Sequence, residues 1–258
     1  MSGVLHSYHM ADEVVAFSTT RHGGVSEGLF GTFNINPYCG DAPSAVAENR
    51  RILAGALCVQ PGDIILPHQV HGVSCRVIDA EFLRLDKATR AAELENIDAV
   101  TTAARGVCIG VSTADCIPVL LYDAVSHAVA AVHAGWRGTV RRIVEKTLCR
   151  MEDAFGTRPD NVRAVIGPGI SLKNFEVGDE VYADFAREGF DMSLIARRFA
   201  KWHIDLPECN RLQLEGAGVP RQAIQMTGIC TFDHVDDYFS ARRLGIASGR
   251  IFTGIMLT

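Results

Sequence analysis

Short apolar runs, rich in valine and isoleucine and bounded by polar turns, recur along the chain. They predict strands at Val14–Thr19, Val73–Ile78, Val107–Ser112, Pro118–Tyr122, Ala128–His133, Val162–Ile166 and Arg250–Met256. Only a short polar turn separates Pro118–Tyr122 from Ala128–His133, so those two are expected to form a hairpin. Helical spacing stands out at Val140–Phe155, where Val140, Ile143, Val144, Leu148, Met151 and Phe155 share one face. Gly156 and Pro159 supply its stop signal. Ser44, with Pro43 before it, predicts a capped helix running to Leu57. Further helices are expected at Asp179–Arg187 and Glu208–Gly216. Strands and helices mix without a regular βαβ alternation, which points to an α+β fold of layered mixed β-sheets flanked by helices.

A chain of 258 residues can bury roughly three quarters of its unfolded surface in one core. No linker interrupts it, so residues 1–258 are expected to form a single domain. The formal net charge of −5 comes with no basic block, which argues against nucleic-acid binding but leaves a single nucleoside open. The longest apolar stretch, Ile117–Ala134, is broken by Asp123, Ser126, His127 and His133, too many polar positions for a membrane span. The N-terminal MSGVLHSYHMADE has neither a basic nor an apolar signal region, so a cytoplasmic location is expected. Eight dispersed cysteines with no CxxC pair then read as reduced thiols, most of them buried as small hydrophobes.

Polar chemistry concentrates in three segments at or beside strand ends: Pro67–Gly72 (PHQVHG), Thr113–Cys116 (TADC) and His133–Gly138 (HAGWRG). Loops at strand ends are where a rigid scaffold commonly presents reactive groups. The predicted hairpin brings Cys116, just before one strand, close to His133, at the end of the next. Nothing in the spacing locates His71, which only the fold can bring to them. Two histidines and one cysteine can hold zinc with a fourth position open for water or substrate, a catalytic arrangement. The same residues also fit a buried cysteine with two hydrogen-bonded histidines.

The stretches TTRHGGVSEG, VAENR, HQVHG, TADCIPVLLYD, HAGWRGT, GPGIS with FEVG, and CTF with FSARR occur in the order found in the YfiH/laccase-domain family. The chain resembles that family from about Phe17 to Ile255. Members are described as purine nucleoside phosphorylases and as polyphenol oxidases. The resemblance implies a zinc site at His71, Cys116 and His133, and a fold shared with the cysteine-dependent deamidase domain of a bacterial toxin. It also implies phosphorolysis of adenosine, inosine and methylthioadenosine, together with adenosine deamination. The expected partners are thus purine nucleosides and phosphate, with no nucleic acid or membrane, for a monomer or a homodimer. One departure is Ala241, which stands where the family often has tyrosine; the Arg242–Arg243 pair is intact.

Asn34, His68, Asp115, Arg137 and Arg243 are candidate substrate-binding residues. His68 reads as a hydrogen-bonding support more readily than as a ligand. Asp115 either orients a histidine or the metal's water, or closes a strand-end turn. Arg137 and Arg243 either clamp phosphate with bidentate geometry or form structural ion pairs. Asn34 either contacts substrate or satisfies a turn.

Three other functions compete. His2Cys also suits copper, but the paired H-x-H histidines of a multicopper oxidase are missing from the sequence. A metal-free cysteine hydrolase, with Cys116 as nucleophile and His133 as base, would fit an amidase editing peptidoglycan precursors. An inactive nucleoside sensor is the last. Zinc-activated deamination would need a different scaffold from the familiar nucleobase deaminases, because H-x-E and P-C-x-x-C are both missing.

Overall fold

The computed structural model describes residues 4–258. Two mixed sheets lie face to face, and helices cover their outer faces, giving an α+β sandwich of layers. One sheet has five strands in the order Leu5–Tyr8, Val14–Thr19, Ile251–Leu257, Cys108–Thr113, Ile64–Ile65. The other has six, in the order Ile224–Met226, Val162–Ile166, Ile117–Asp123, Ala128–Ala134, Ala99–Thr102, Cys75–Val77. A small three-stranded sheet, Glu176–Val177, Trp202–Ile204 and Ala196–Arg198, joins the core of the six-stranded sheet through Val177 and Ile204.

Strand periodicity explains the layering. Successive side chains point to opposite faces, and here both faces are covered. Along Ile117–Asp123, Leu120 and Tyr122 meet Ile109, Val111 and Ile255 between the two sheets. Ile117, Val119 and Leu121 turn the other way, onto Ile143, Val144, Leu148 and Met151 of the helix Ile143–Phe155. Ile117–Asp123 and Ala128–Ala134 are buried at every position. They therefore read as continuous apolar runs rather than as alternating ones. On the far side, Leu53, Ala54 and Leu57 of the helix Pro43–Leu57 pack on Phe17, Phe252 and Met256.

Most expected elements are present, with revised ends. The hairpin forms as Ile117–Asp123 against Ala128–Ala134, with Pro118 opposite His133. Asp179–Arg187 and Val162–Ile166 have the expected bounds. Ser44 does not cap its helix: Ala42 holds the N-cap without a side-chain bond, and Pro43 starts the first turn. The last predicted helix begins earlier, at Leu206, because Asp205 caps it by accepting from Glu208 N. The stretch Val140–Phe155 is broken. A short helix, Trp136–Val140, ends before Arg142, whose left-handed φ of 63° resets the axis before Ile143–Phe155. Gly156 closes that second helix in the left-handed region at φ 69°, as its stop signal predicts.

This topology positions the polar segments. The chain leaves the five-stranded sheet at Thr113 and enters the six-stranded one at Ile117, so Cys116 sits on the crossover between them. The strand Ala128–Ala134 delivers His133 to the same end of the sheet. Ala99 pairs with Val132, and His133 N donates to Asp98 O at 2.8 Å, so Asp98 arrives beside it. The loop before Cys75–Val77, next to Ala99–Thr102 in the sheet, brings His71. All eight cysteines are unpaired. Among the described residues, no helix is long and apolar enough to cross a membrane.

Candidate functional site

Three donors meet at this end of the sandwich. A ligand atom from each of His71, Cys116 and His133 lies within 4.8 Å of the others. Sγ of Cys116 is 3.8 Å from Nε2 of His71, and the two imidazoles meet edge to face with centroids 4.8 Å apart.

Asp98 is central to this arrangement. Its carboxylate is sealed from solvent, and its Oδ1 lies 2.7 Å from Nδ1 of His133. That contact gives Nδ1 the proton and leaves Nε2 of His133 as the donor to an ion. The same carboxylate accepts from three successive backbone N–H groups: His71 at 2.9 Å, Val70 at 3.2 Å and Gly72 at 2.7 Å. His71 can hold its left-handed φ of 61° because those bonds fix the turn around it. Arg141 adds a bond from Nη2 to His71 O at 2.6 Å. One carboxylate therefore orients one histidine directly and places the other through its backbone.

The electrostatics agree with that reading. Burial pushes the Asp98 carboxyl up, but the His133 contact and the backbone N–H groups outweigh it and hold the group below its usual value. Burial also opposes the Cys116 thiolate, yet the adjacent His133 and His71 bring the thiol down to about 6. Burial would make His133 less basic, but the Cys116 thiolate and Asp98 raise it to about 9. Without metal, Cys116 and His133 thus favour a thiolate–imidazolium pair.

Gly135 makes room for the cluster. A Cβ there would stand 2.8 Å from His71 Cδ2 and 3.1 Å from Cys116 Sγ. Gln69 anchors the HQVH loop to the strand Cys108–Thr113: its Nε2 donates to Ser112 O at 2.9 Å, and its Oε1 accepts from Ser112 N at 2.8 Å. The loop's two histidines, His68 and His71, both line a cleft of about 330 Å³ shared with Cys116 and His133. Asn36, Tyr38, Ser112 and Arg250 also line it.

The predicted substrate contacts fare unevenly. His68 lines the cleft, with Nδ1 2.7 Å from Glu95 Oε2 and its ring stacked on Tyr38. Asn34 is buried and spends its amide inside the fold. Its Nδ2 donates to Asn36 O and Asp41 Oδ2, and its Oδ1 accepts from Asn36 N and Arg250 N. The asparagine that reaches the cleft is Asn36, whose Nδ2 donates to Ser112 Oγ at 2.5 Å. Asp115 takes the strand-end role. Its carboxylate accepts from Thr231 Oγ1 and from Arg242 N, both at 2.7 Å, and ties the Thr231 turn to the short helix Ala241–Leu244. Arg137 lies over the ring of Trp136, and Arg243 donates to Phe232 O, so neither lines the cleft. The cleft's arginine is Arg250. Asp98 carries no motif; the sequence shows only a carboxylate set between Ile97 and Ala99–Val100.

A layered α+β fold with a His-Cys-His cluster at the sheet crossover marks the class. The chain belongs to the family described as multi-copper polyphenol oxidoreductase laccase, whose model matches residues 15–258. This bears out the resemblance to the YfiH/laccase-domain family. A purine nucleoside phosphorylase of Bacteroides thetaiotaomicron is 48% identical over 244 residues, covering 93% of this chain and 90% of that protein. An adenosine deaminase, RL5, from an unknown prokaryotic organism is 42% identical, covering 94% of this chain and 93% of that protein. Among solved structures, the hypothetical protein YfiH of Bacillus licheniformis superposes with a TM-score of 0.93 at 28% identity, covering 100% of this chain and 97% of its own. YlmD of Geobacillus stearothermophilus gives 0.88 at 31% identity, covering 95% and 92%. With close relatives of these activities, the chain is an enzyme.

Proposed function

We propose that this chain is a zinc-dependent purine nucleoside phosphorylase acting on adenosine, inosine and methylthioadenosine, with adenosine deaminase activity. The observation that carries this reading is the convergence of His71, Cys116 and His133 on a cleft large enough for a nucleoside. The donor set suits zinc. Tetrahedral zinc with ordinary Zn–S and Zn–N bonds separates its ligands by about 3.5 Å, close to the 3.8 Å between Cys116 and His71. The thiol ionises readily, and Asp98 fixes one histidine in the tautomer an ion requires. Three protein ligands would leave such an ion one position for water or substrate.

When bound, zinc supplies a Lewis acid that polarises an oxygen in the cleft and lowers the cost of making it nucleophilic. The protein's part is positional. Asp98 holds His133 and the His71 turn together, Gln69 pins their loop to the sheet, and the polar Asn36–Ser112 pair offers hydrogen bonds at the cleft wall. We place the enzyme in the cytoplasm as one domain over residues 1–258; its unpaired cysteines support a reducing compartment.

The test is elemental analysis of protein purified without added metal, followed by assay with inosine and phosphate. About one zinc per chain and phosphate-dependent release of hypoxanthine are expected. Zinc-free protein with full activity, or failure to form ribose 1-phosphate, would overturn the reading. A second reading has its own observation: Cys116, His133 and Asp98 stand in the order of a nucleophile, base and orienting acid. It makes the chain a cysteine-dependent amidase and requires a covalent adduct on Cys116. Copper-dependent phenol oxidation would use the same three ligands and would show as activity restored by copper but not by zinc.

A further inference from the structure

We infer that His68, backed by Glu95, is the residue that exchanges a proton with the purine as the glycosidic bond breaks. This rests on the phosphorylase reading above. The cleft is lined by six side chains able to hold charge: Tyr38, His68, His71, Cys116, His133 and Arg250. On that reading His71, Cys116 and His133 are committed to the metal. Arg250 stays protonated and donates to the carbonyls of Ile246, Ser248 and Gly249. The phenol of Tyr38 is held above its ordinary value by burial and by the charge of Glu95. Among the described residues that line the cleft, this leaves His68, whose imidazole is the side-chain type suited to giving and taking a proton.

Its setting is that of a general acid. Glu95 Oε2 takes Nδ1 at 2.7 Å, which leaves Nε2 for a substrate. The His68 ring stacks on Tyr38 with centroids 4.2 Å apart and planes 18° from parallel. The backbone is pinned as well: His68 N donates to Leu94 O at 3.0 Å, and the next residue, Gln69, is locked to Ser112. Glu95 and Tyr38 are the titratable groups against the ring.

The step balances. A phosphate oxygen forms a bond to C1′ of the ribose as the C1′–N9 bond breaks. The bonding electron pair passes into the purine, and the imidazolium of His68 donates its Nε2 proton to ring nitrogen N7, so hypoxanthine leaves neutral. The proton lost by the attacking phosphate returns the imidazole to its starting form.

The experiment compares inosine with 7-methylinosine, whose ring is already cationic and needs no proton to leave. It uses zinc-loaded enzyme, with zinc content and melting temperature checked for each variant. In His68→Gln, kcat on inosine should fall by about a hundredfold or more, while kcat on 7-methylinosine should stay within about threefold of the parent enzyme. Equal losses on both substrates would make His68 a binding or structural residue and overturn the assignment, as would unchanged turnover of inosine. Glu95→Gln tests the partner: without the carboxylate at Nδ1 the ring is no longer held, so kcat on inosine should fall while kcat on 7-methylinosine stays within about threefold of the parent. Unchanged turnover of inosine, or equal losses on both substrates, would remove Glu95 from the role. Parent enzyme that cleaves neither nucleoside fails the phosphorylase reading itself, a result distinct from any of these, and the assignment falls with it.

Discussion

Oδ1 of Asp98 lies 2.7 Å from Nδ1 of His133, and both side chains are almost wholly closed to solvent. A carboxylate is costly to bury unless it is paired and hydrogen-bonded. Asp98 meets that cost with one imidazole and three backbone N–H groups of the His71 turn. Its acidity is higher in the fold than in the open chain, despite burial. Its contribution to stability is therefore present above the ordinary carboxylate range and is lost as pH falls through its lowered value.

Asp98→Asn should weaken zinc binding by about ten- to a hundredfold, the usual effect of losing a ligand's orienting partner. Competition with a chromogenic chelator measures it. Affinity equal to the parent's would mean that His133 keeps its tautomer without the carboxylate. Asp98→Ala should cost more stability than the asparagine variant, because it also strands the three N–H donors.

Gly135→Ala is predicted to damage the metal cluster while leaving the sandwich folded. The added carbon would stand 2.8 Å from His71 Cδ2 and 3.1 Å from Cys116 Sγ. Gly135 has an ordinary φ of −66°, so backbone strain is not the reason for glycine there. Zinc content should fall, and the far-ultraviolet circular dichroism spectrum should match the parent's. A fully loaded alanine variant would show that both ligands can move aside.

How much of this could be read beforehand follows from how each feature is encoded. Ile117–Asp123 and Ala128–Ala134 were visible because burial on both faces makes a strand apolar throughout, and the turn between them set their pairing. The break at Arg142 was hidden: Val140, Ile143 and Val144 keep helical spacing across it, since each is buried against the same core. The strands Leu5–Tyr8 and Ala99–Thr102 are four residues each, too short for their periodicity to separate them from a loop. His71, Cys116 and His133 were legible through motifs. Asp98 acts through contacts made by sheet register, which local spacing does not record. Asn34 and Asn36 look alike in the chain; only the loop's internal hydrogen bonds decide which one reaches the cleft.

Asp115→Ala should leave zinc in place and raise KM. The carboxylate holds Thr231 Oγ1 and Arg242 N, so its loss frees the short helix Ala241–Leu244, which with Ile246 beyond it lines the cleft. Leaving those donors unpartnered should cost about 1–3 kcal/mol, read as a lower melting temperature. Loss of zinc in this variant would instead assign Asp115 to the metal site.

Alkylation of Cys116 separates a ligand from a nucleophile. A zinc-bound thiolate has its lone pair engaged and should resist iodoacetamide, whereas chelated protein should react. In that metal-free state the thiol is brought down to about 6, because the neighbouring histidines outweigh burial. As pH falls through about 6 the thiolate is protonated and alkylation slows; from about 6 to 9 the rate should be nearly flat, where an ordinary thiol still accelerates. His133, raised to about 9, stays imidazolium until the pH nears that value and keeps the pair intact below it. The label must be located by mass spectrometry, since Cys58 and Cys149 are exposed and will also react. Equal labelling of Cys116 before and after chelation would remove it from the ligand set and favour the amidase reading. An acyl adduct trapped on it with an amide substrate would decide for that reading outright.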